Sequence, residues 1–64
     1  MADRYPLPHV GAQVRITDGP LAGYPAEVRE VDERREQLKL DAAVKGMTVP
    51  IEVEAWQVER KAFE

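Results

Sequence analysis

Apolar and polar residues alternate on both sides of Lys45-Gly46, and this alternation predicts a β-hairpin. With these two residues as the loop, one face carries four apolar pairs: Val44 with Met47, Ala42 with Val49, Leu40 with Ile51, and Leu38 with Val53. The opposite face carries two polar pairs, Lys39 with Glu52 and Gln37 with Glu54. A shift of one residue would expose the whole apolar set, so the pattern predicts one register.

A first strand is predicted within Gly11 to Asp18, where Val14 and Ile16 share one face and polar residues share the other. The next stretch, Asp18 to Tyr24, is predicted to be a tight turn. Its turn-forming residues are Gly19, Pro20 and Gly23.

A second strand is predicted from Ala26 to Asp32. Val28 and Val31 break its strict alternation, which indicates a bulge or a strong bend. A last short strand around Gln57 to Arg60 brings the number to five. Five short strands separated by glycine-marked turns predict an all-β fold, a small five-stranded antiparallel barrel.

The chain has 64 residues, enough for one small domain, and no cysteine, which excludes disulfides and thiolate metal sites. We interpret residues 1–10 as a linker or an added N-terminal segment and residues 11–62 as the domain. His9, the only histidine, is expected to be a surface imidazole. No apolar run approaches the length of a membrane span, so we expect a cytoplasmic protein.

The charge balance favours a protein partner over nucleic acid. Nine basic and twelve acidic residues give a net charge of −3, whereas affinity for nucleic acid comes mainly from cations that neutralise phosphates. Arg34 and Arg35 are flanked by acidic residues, which weakens their local field. Direct nucleic-acid binding is therefore disfavoured.

No catalytic or metal-binding residues stand out. The chain has no serine, and neither Thr17 nor Thr48 has a histidine beside it in sequence. Glu52 and Glu54 fall on one strand face, where we interpret them as solvated carboxylates. We therefore expect a protein that is not an enzyme and uses no cofactor.

Several motifs occur in the order found in one known family. They are Gly19-Pro20-Leu21-Ala22 with Tyr24, Leu38-Lys39-Leu40, Val44-Lys45-Gly46-Met47, Pro50-Ile51-Glu52-Val53 and Gln57-Val58. On these residues, Val14 to Arg60 resembles the C-terminal KOW domain of NusG-type transcription elongation factors. The resemblance covers about three quarters of the chain, and it implies the SH3-like barrel of that family.

The resemblance also implies a role in recruitment. In the family, an N-terminal domain, which we expect to be missing here, contacts RNA polymerase, while the KOW domain recruits ribosomal protein NusE or the termination factor Rho. It thereby couples transcription to translation or to termination. The implied partner-binding residues are Leu21, Tyr24, Val44, Lys45, Gly46 and Met47, on a domain expected to be a monomer. An RNA-binding KOW module is the alternative.

Some residues depart from the family pattern. The family hairpin usually has an aromatic residue before its glycine and an arginine after it, whereas this chain has Lys45 and Met47. Leu21 stands where an aromatic residue is common. Because aromatic residues often anchor interfaces, these changes suggest a specialised paralogue. Trp56 is expected to pack in or beside the core, with a partner contact or a helical interface as the alternatives.

Local propensity points to a second state. From Glu27 to Lys45 there is no glycine or proline, and good helix formers dominate. Pro50 could likewise begin a helix in which Ile51, Ala55 and Val58 share a face. This conflict resembles that in RfaH, a NusG relative that changes fold. We therefore hypothesise a β fold in isolation and an α-hairpin in the full-length parent, although surface strands also tolerate helix formers.

Overall fold

The fold is a single antiparallel sheet curled into a half-barrel, as the sequence predicted. The computed structural model describes residues 7–60. Its strands are β1 (Gln13–Ile16), β2 (Pro25–Asp32), β3 (Gln37–Val44), β4 (Met47–Glu54) and β5 (Val58–Arg60), with one 3₁₀ turn, Ala55–Gln57, between β4 and β5. The strand order is β4-β3-β2-β1-β5. Within residues 7–60, no helix is long and apolar enough to cross a membrane.

The β3–β4 hairpin has the predicted register. Its four apolar pairs and its two polar pairs are direct partners, from Val44 with Met47 to Gln37 with Glu54. Pro50 lies on the outer edge of the sheet, because β4 has only one neighbouring strand. On such an edge strand the loss of one N–H donor is tolerated.

The predicted irregularity in β2 is confirmed as a bulge. Val28 pairs with Leu40, but the next pair joins Glu30 to Lys39, which leaves Arg29 as the extra residue. A bulge of this kind bends its strand and increases the local twist. Here it lets both Val28 and Val31 turn towards the interior, Val28 fully buried and Val31 partly buried.

The core lies on the concave side of the sheet. Its buried side chains come from the first three strands: Val14, Ile16, Ala26, Val28, Leu38, Leu40 and Ala42. Partly buried residues of the edge strand β4, among them Ile51 and Val53, cover one side. The domain thus depends on one thin apolar layer, as expected for its length.

The chain before β1 takes part in this packing. Leu7 packs against the core and Pro8 is buried, although the sequence analysis placed both in the linker. The backbone then pairs with β2 at the bulge, since Gly11 donates to the Val28 carbonyl and Val28 donates to the Ala12 carbonyl. The rest of the predicted linker, residues 1–6, and the end of the predicted domain, residues 61–62, lie outside the described residues.

The 3₁₀ turn crosses the open side of the half-barrel. At its start, the Ala55 N–H donates to the Glu36 carbonyl at 2.8 Å, and at its end the Gln57 carbonyl accepts from Thr17 N–H at 2.7 Å. Ala55 points inwards and is buried, whereas Trp56 is 49% exposed. Trp56 is therefore not a core residue, because in this turn the small residue takes the inward position.

Candidate functional site

The β1–β2 turn is held by four backbone hydrogen bonds, two that join its ends and two within it. Gly23 N–H donates to the Ile16 carbonyl at 2.7 Å, and Ile16 N–H donates to the Tyr24 carbonyl at 3.0 Å. Inside the turn, Ala22 N–H donates to Gly19 and Tyr24 N–H to Leu21, both at 3.2 Å. Gly19 and Gly23 have φ values of 97° and 95°, a region that disfavours other residues.

The topology brings this turn to the same end of the sheet as the β3–β4 hairpin loop. Strand β2 runs antiparallel to both β1 and β3, and Ala26 pairs with both Val14 and Ala42. The end of β1, the start of β2 and the end of β3 therefore lie together. We call the residues predicted to bind a partner the loop-end surface: Leu21, Tyr24, Val44, Lys45, Gly46 and Met47.

The loop-end surface combines anchored and exposed side chains. Leu21 and Val44 are partly buried and pack against the core, and Tyr24 is half-buried. Lys45 and Gly46 are exposed, and Met47 is 65% exposed. Met47 offers a flexible, polarizable thioether, a chemistry that adapts to irregular partner surfaces. This arrangement suits a small apolar contact with one cation beside it.

Three cations outside the loop-end surface, Arg15, Arg29 and Lys39, are paired with carboxylates. Arg15 donates from Nε and Nη2 to one Glu59 oxygen. Arg29 Nε lies 3.2 Å from Asp41 Oδ2, and Lys39 Nζ lies 3.6 Å from Glu30 Oε1. Among residues 7–60, Lys45 forms no ion pair.

Sequence reasoning missed two further features. The first is a shallow depression on the outer face of the sheet, lined by Gln13, Pro25, Ala26, Glu27, Asp41, Ala43 and Thr48. The second is a hydrogen bond within the 3₁₀ segment, from Glu54 N–H to Gln57 Oε1 at 2.9 Å. Glutamine three residues after a glutamate is a recognisable capping pattern, but only the folded chain shows its use. Residues 7–60 contain no group of three or more side chains suited to a metal ion.

Comparison with protein families identifies a KOW motif over residues 10–44. The NusG transcription termination/antitermination protein of Haemophilus influenzae is 40% identical over 52 residues, which cover 81% of this chain and 28% of that protein. NusG of Treponema pallidum is 42% identical over 50 residues, covering 78% of this chain and 27% of that protein. The chain thus spans less than a third of these relatives.

Two solved structures resemble this chain. A structure of Thermotoga maritima NusG matches with a TM-score of 0.75 and 29% identity, covering 81% of this chain and 29% of that one. The MjSpt4:Spt5 complex matches with a TM-score of 0.73 and 26% identity, covering 94% of this chain and 41% of the matched chain.

Proposed function

This chain belongs to the KOW family and is similar to NusG transcription termination/antitermination proteins, and from that premise we propose that it is a protein-recruiting module. The observation that carries the proposal is that the β1–β2 turn and the β3–β4 hairpin loop lie at the same end of the sheet. Met47 and its neighbour Lys45 are both exposed there, and Lys45 forms no ion pair within residues 7–60. The flexible thioether of Met47 suits contact with a partner protein.

The proposed partners are ribosomal protein NusE and the termination factor Rho. Binding either would couple RNA polymerase to translation or to termination, with contact to polymerase made by another domain of the parent protein. The resemblance to NusG supports this role, and the changes at Leu21, Lys45 and Met47 support a specialised paralogue. A role beside polymerase and ribosome places the protein in the cytoplasm.

The module acts without catalysis and as a monomer in this proposal. The curated relatives are named for termination and antitermination of transcription rather than for a reaction. Its contribution is to hold a second protein near the first, and the linked parent raises the effective concentration of that partner.

The test is a titration of the nitrogen-15-labelled chain with NusE, followed by Rho, in NMR. We expect shift changes confined to Leu21, Tyr24 and residues 44–47, with the Glu59 amide on β5 as an internal control. Changes concentrated on the outer sheet face would place the contact elsewhere. No response to either protein would remove both as partners.

RNA binding is the second candidate, and the charge distribution disfavours it. Three described cations, Arg15, Arg29 and Lys39, are already paired with carboxylates. A phosphate contact would have to break these pairs or use the remaining cations. Titration with single-stranded RNA at two salt concentrations separates the candidates, because RNA affinity falls steeply with salt while an apolar protein contact does not.

We also propose that this domain adopts a helical state in its parent protein. Its support is the run of helix formers from Glu27 to Lys45, which here forms most of β2 and β3. A second packing within a few kcal/mol of the first is required for such a switch. Carbon-13 chemical shifts of residues 27–45 in the intact parent test it: helical shifts support the switch, and β shifts refute it.

A further inference from the structure

Gln57 connects the 3₁₀ turn to the β1–β2 turn. Its side-chain Oε1 accepts from Glu54 N–H at 2.9 Å, and its backbone carbonyl accepts from Thr17 N–H at 2.7 Å. Its Nε2 lies 3.6 Å from the point that a Cβ on Gly19 would occupy. One half-buried side chain thus lies against the first residues of the turn.

Glu54, the partner of Gln57, connects this contact to the sheet. The Glu54 side chain faces the Gln57 backbone N–H in return, the reciprocal arrangement of a capping box. Glu54 Oε2 also accepts from Gln37 Nε2 at 3.2 Å. The start of β3, the end of β4 and the β1–β2 turn are therefore linked through the Glu54–Gln57 pair.

We propose that Gln57 is a positioning residue for the β1–β2 turn, and so for Leu21 and Tyr24 on the loop-end surface. The box fixes the orientation of the last peptide of the 3₁₀ turn, and with it the carbonyl that holds Thr17. Without the box, that carbonyl gains freedom and the turn loses its anchor beside Gly19. The effect on recruitment rests on the proposed function, whereas the effect on the turn does not.

Amide hydrogen exchange of the whole chain tests the positioning role. Gln57→Ala removes the side-chain acceptor, and we expect the Thr17 and Gly23 amides to exchange about fivefold faster relative to the core amide of Val28. Gln13→Ala is the control, because Gln13 is an exposed glutamine of β1 and no side-chain hydrogen bond involves it among the described residues. It should leave all three amides unchanged.

A reciprocal swap tests the mechanism. Glu54→Gln combined with Gln57→Glu keeps an acceptor for each backbone N–H of the box, so it should restore protection of Thr17 to within about twofold of the original chain. If Gln57→Ala does not fold, Gln57→Asn, shorter by one methylene, takes its place. Equal acceleration of all three amides, no difference from Gln13→Ala, or failure of the swap would each overturn the proposal.

Affinity for NusE provides the functional measurement. Where the original chain binds, Gln57→Ala should weaken binding about fivefold and the swap should recover it. A chain that does not bind NusE argues against that partner and leaves the exchange result intact. Faster exchange in the turn with unchanged affinity would overturn the link between Gln57 and recruitment.

Discussion

Lys45 and Gly46 both adopt positive φ, at 52° and 82°, and together they form the two-residue loop that sets the register of the β3–β4 hairpin. Two successive positive φ values are the requirement of a type I′ turn, whose twist matches that of the strands. Glycine meets this requirement freely, whereas lysine does so at a cost. The turn in the loop-end surface therefore holds one residue that suits positive φ, Gly46, and one that does not, Lys45.

Substitutions at these two positions should change stability in opposite directions. Gly46→Ala should destabilise by about 1–2 kcal/mol, through backbone conformation alone, because a Cβ there meets nothing within 4 Å. Lys45→Asn should stabilise by roughly 0.5 kcal/mol, since asparagine suits the first position of the turn. Urea unfolding measures both. A neutral Gly46→Ala would contradict the assigned turn.

Leu40 and Ile51 face each other across β3 and β4 but differ in burial, and their truncations should differ accordingly. Leu40 is 1% exposed, so Leu40→Ala should cost roughly 2–5 kcal/mol, enough to unfold much of so small a domain. Ile51 is only partly buried on the edge strand, so Ile51→Ala should cost about half as much. Urea unfolding in a stabilising osmolyte keeps both measurable. Equal losses of unfolding free energy for the two variants would contradict the prediction and show that Ile51 contributes as much as the buried Leu40.

Much of this fold could be predicted from local rules, and the exceptions have a physical cause. The register followed from the Lys45-Gly46 loop and the apolar alternation, and the bulge followed from Val28 and Val31. The 3₁₀ segment follows neither the apolar repeat of a strand nor that of an α-helix. Its geometry is set by contacts with residues far away in sequence, Glu36 and Thr17. The inward position of Ala55, the exposure of Trp56 and the bond to Gln57 all depend on that closure.

The bulge at Arg29 should be necessary for the curl of the sheet. Deleting Arg29 keeps the pairs on both sides, Val28 with Leu40 and Glu30 with Lys39, but straightens β2. We expect a loss of roughly 1–3 kcal/mol in urea unfolding. Arg29→Ala is the matched control, because it removes the exposed ion pair to Asp41 but keeps the bulge, and it should cost under about 1 kcal/mol. Similar losses would assign the effect to the side chain.

Substitutions of Met47 and Val10 test the role of the loop-end surface in binding without a large change in stability. Both are 65% exposed, but Met47 lies at the hairpin loop, and Val10 precedes β1 at the opposite end of that strand. Because neither side chain fills the core, Met47→Ala and Val10→Ala should each change the free energy of unfolding by less than about 0.5 kcal/mol.

Binding should separate these two substitutions. Met47→Ala removes an exposed apolar side chain from the proposed contact, and we expect at least about fivefold weaker binding of NusE or Rho, the level expected of an interface anchor. Val10→Ala should leave the affinity unchanged. Trp56, the only tryptophan, supplies a second probe through its emission during the titration. If Val10→Ala weakens binding and Met47→Ala does not, the partner docks at the other end of the half-barrel, and the hairpin loop has no role in recruitment.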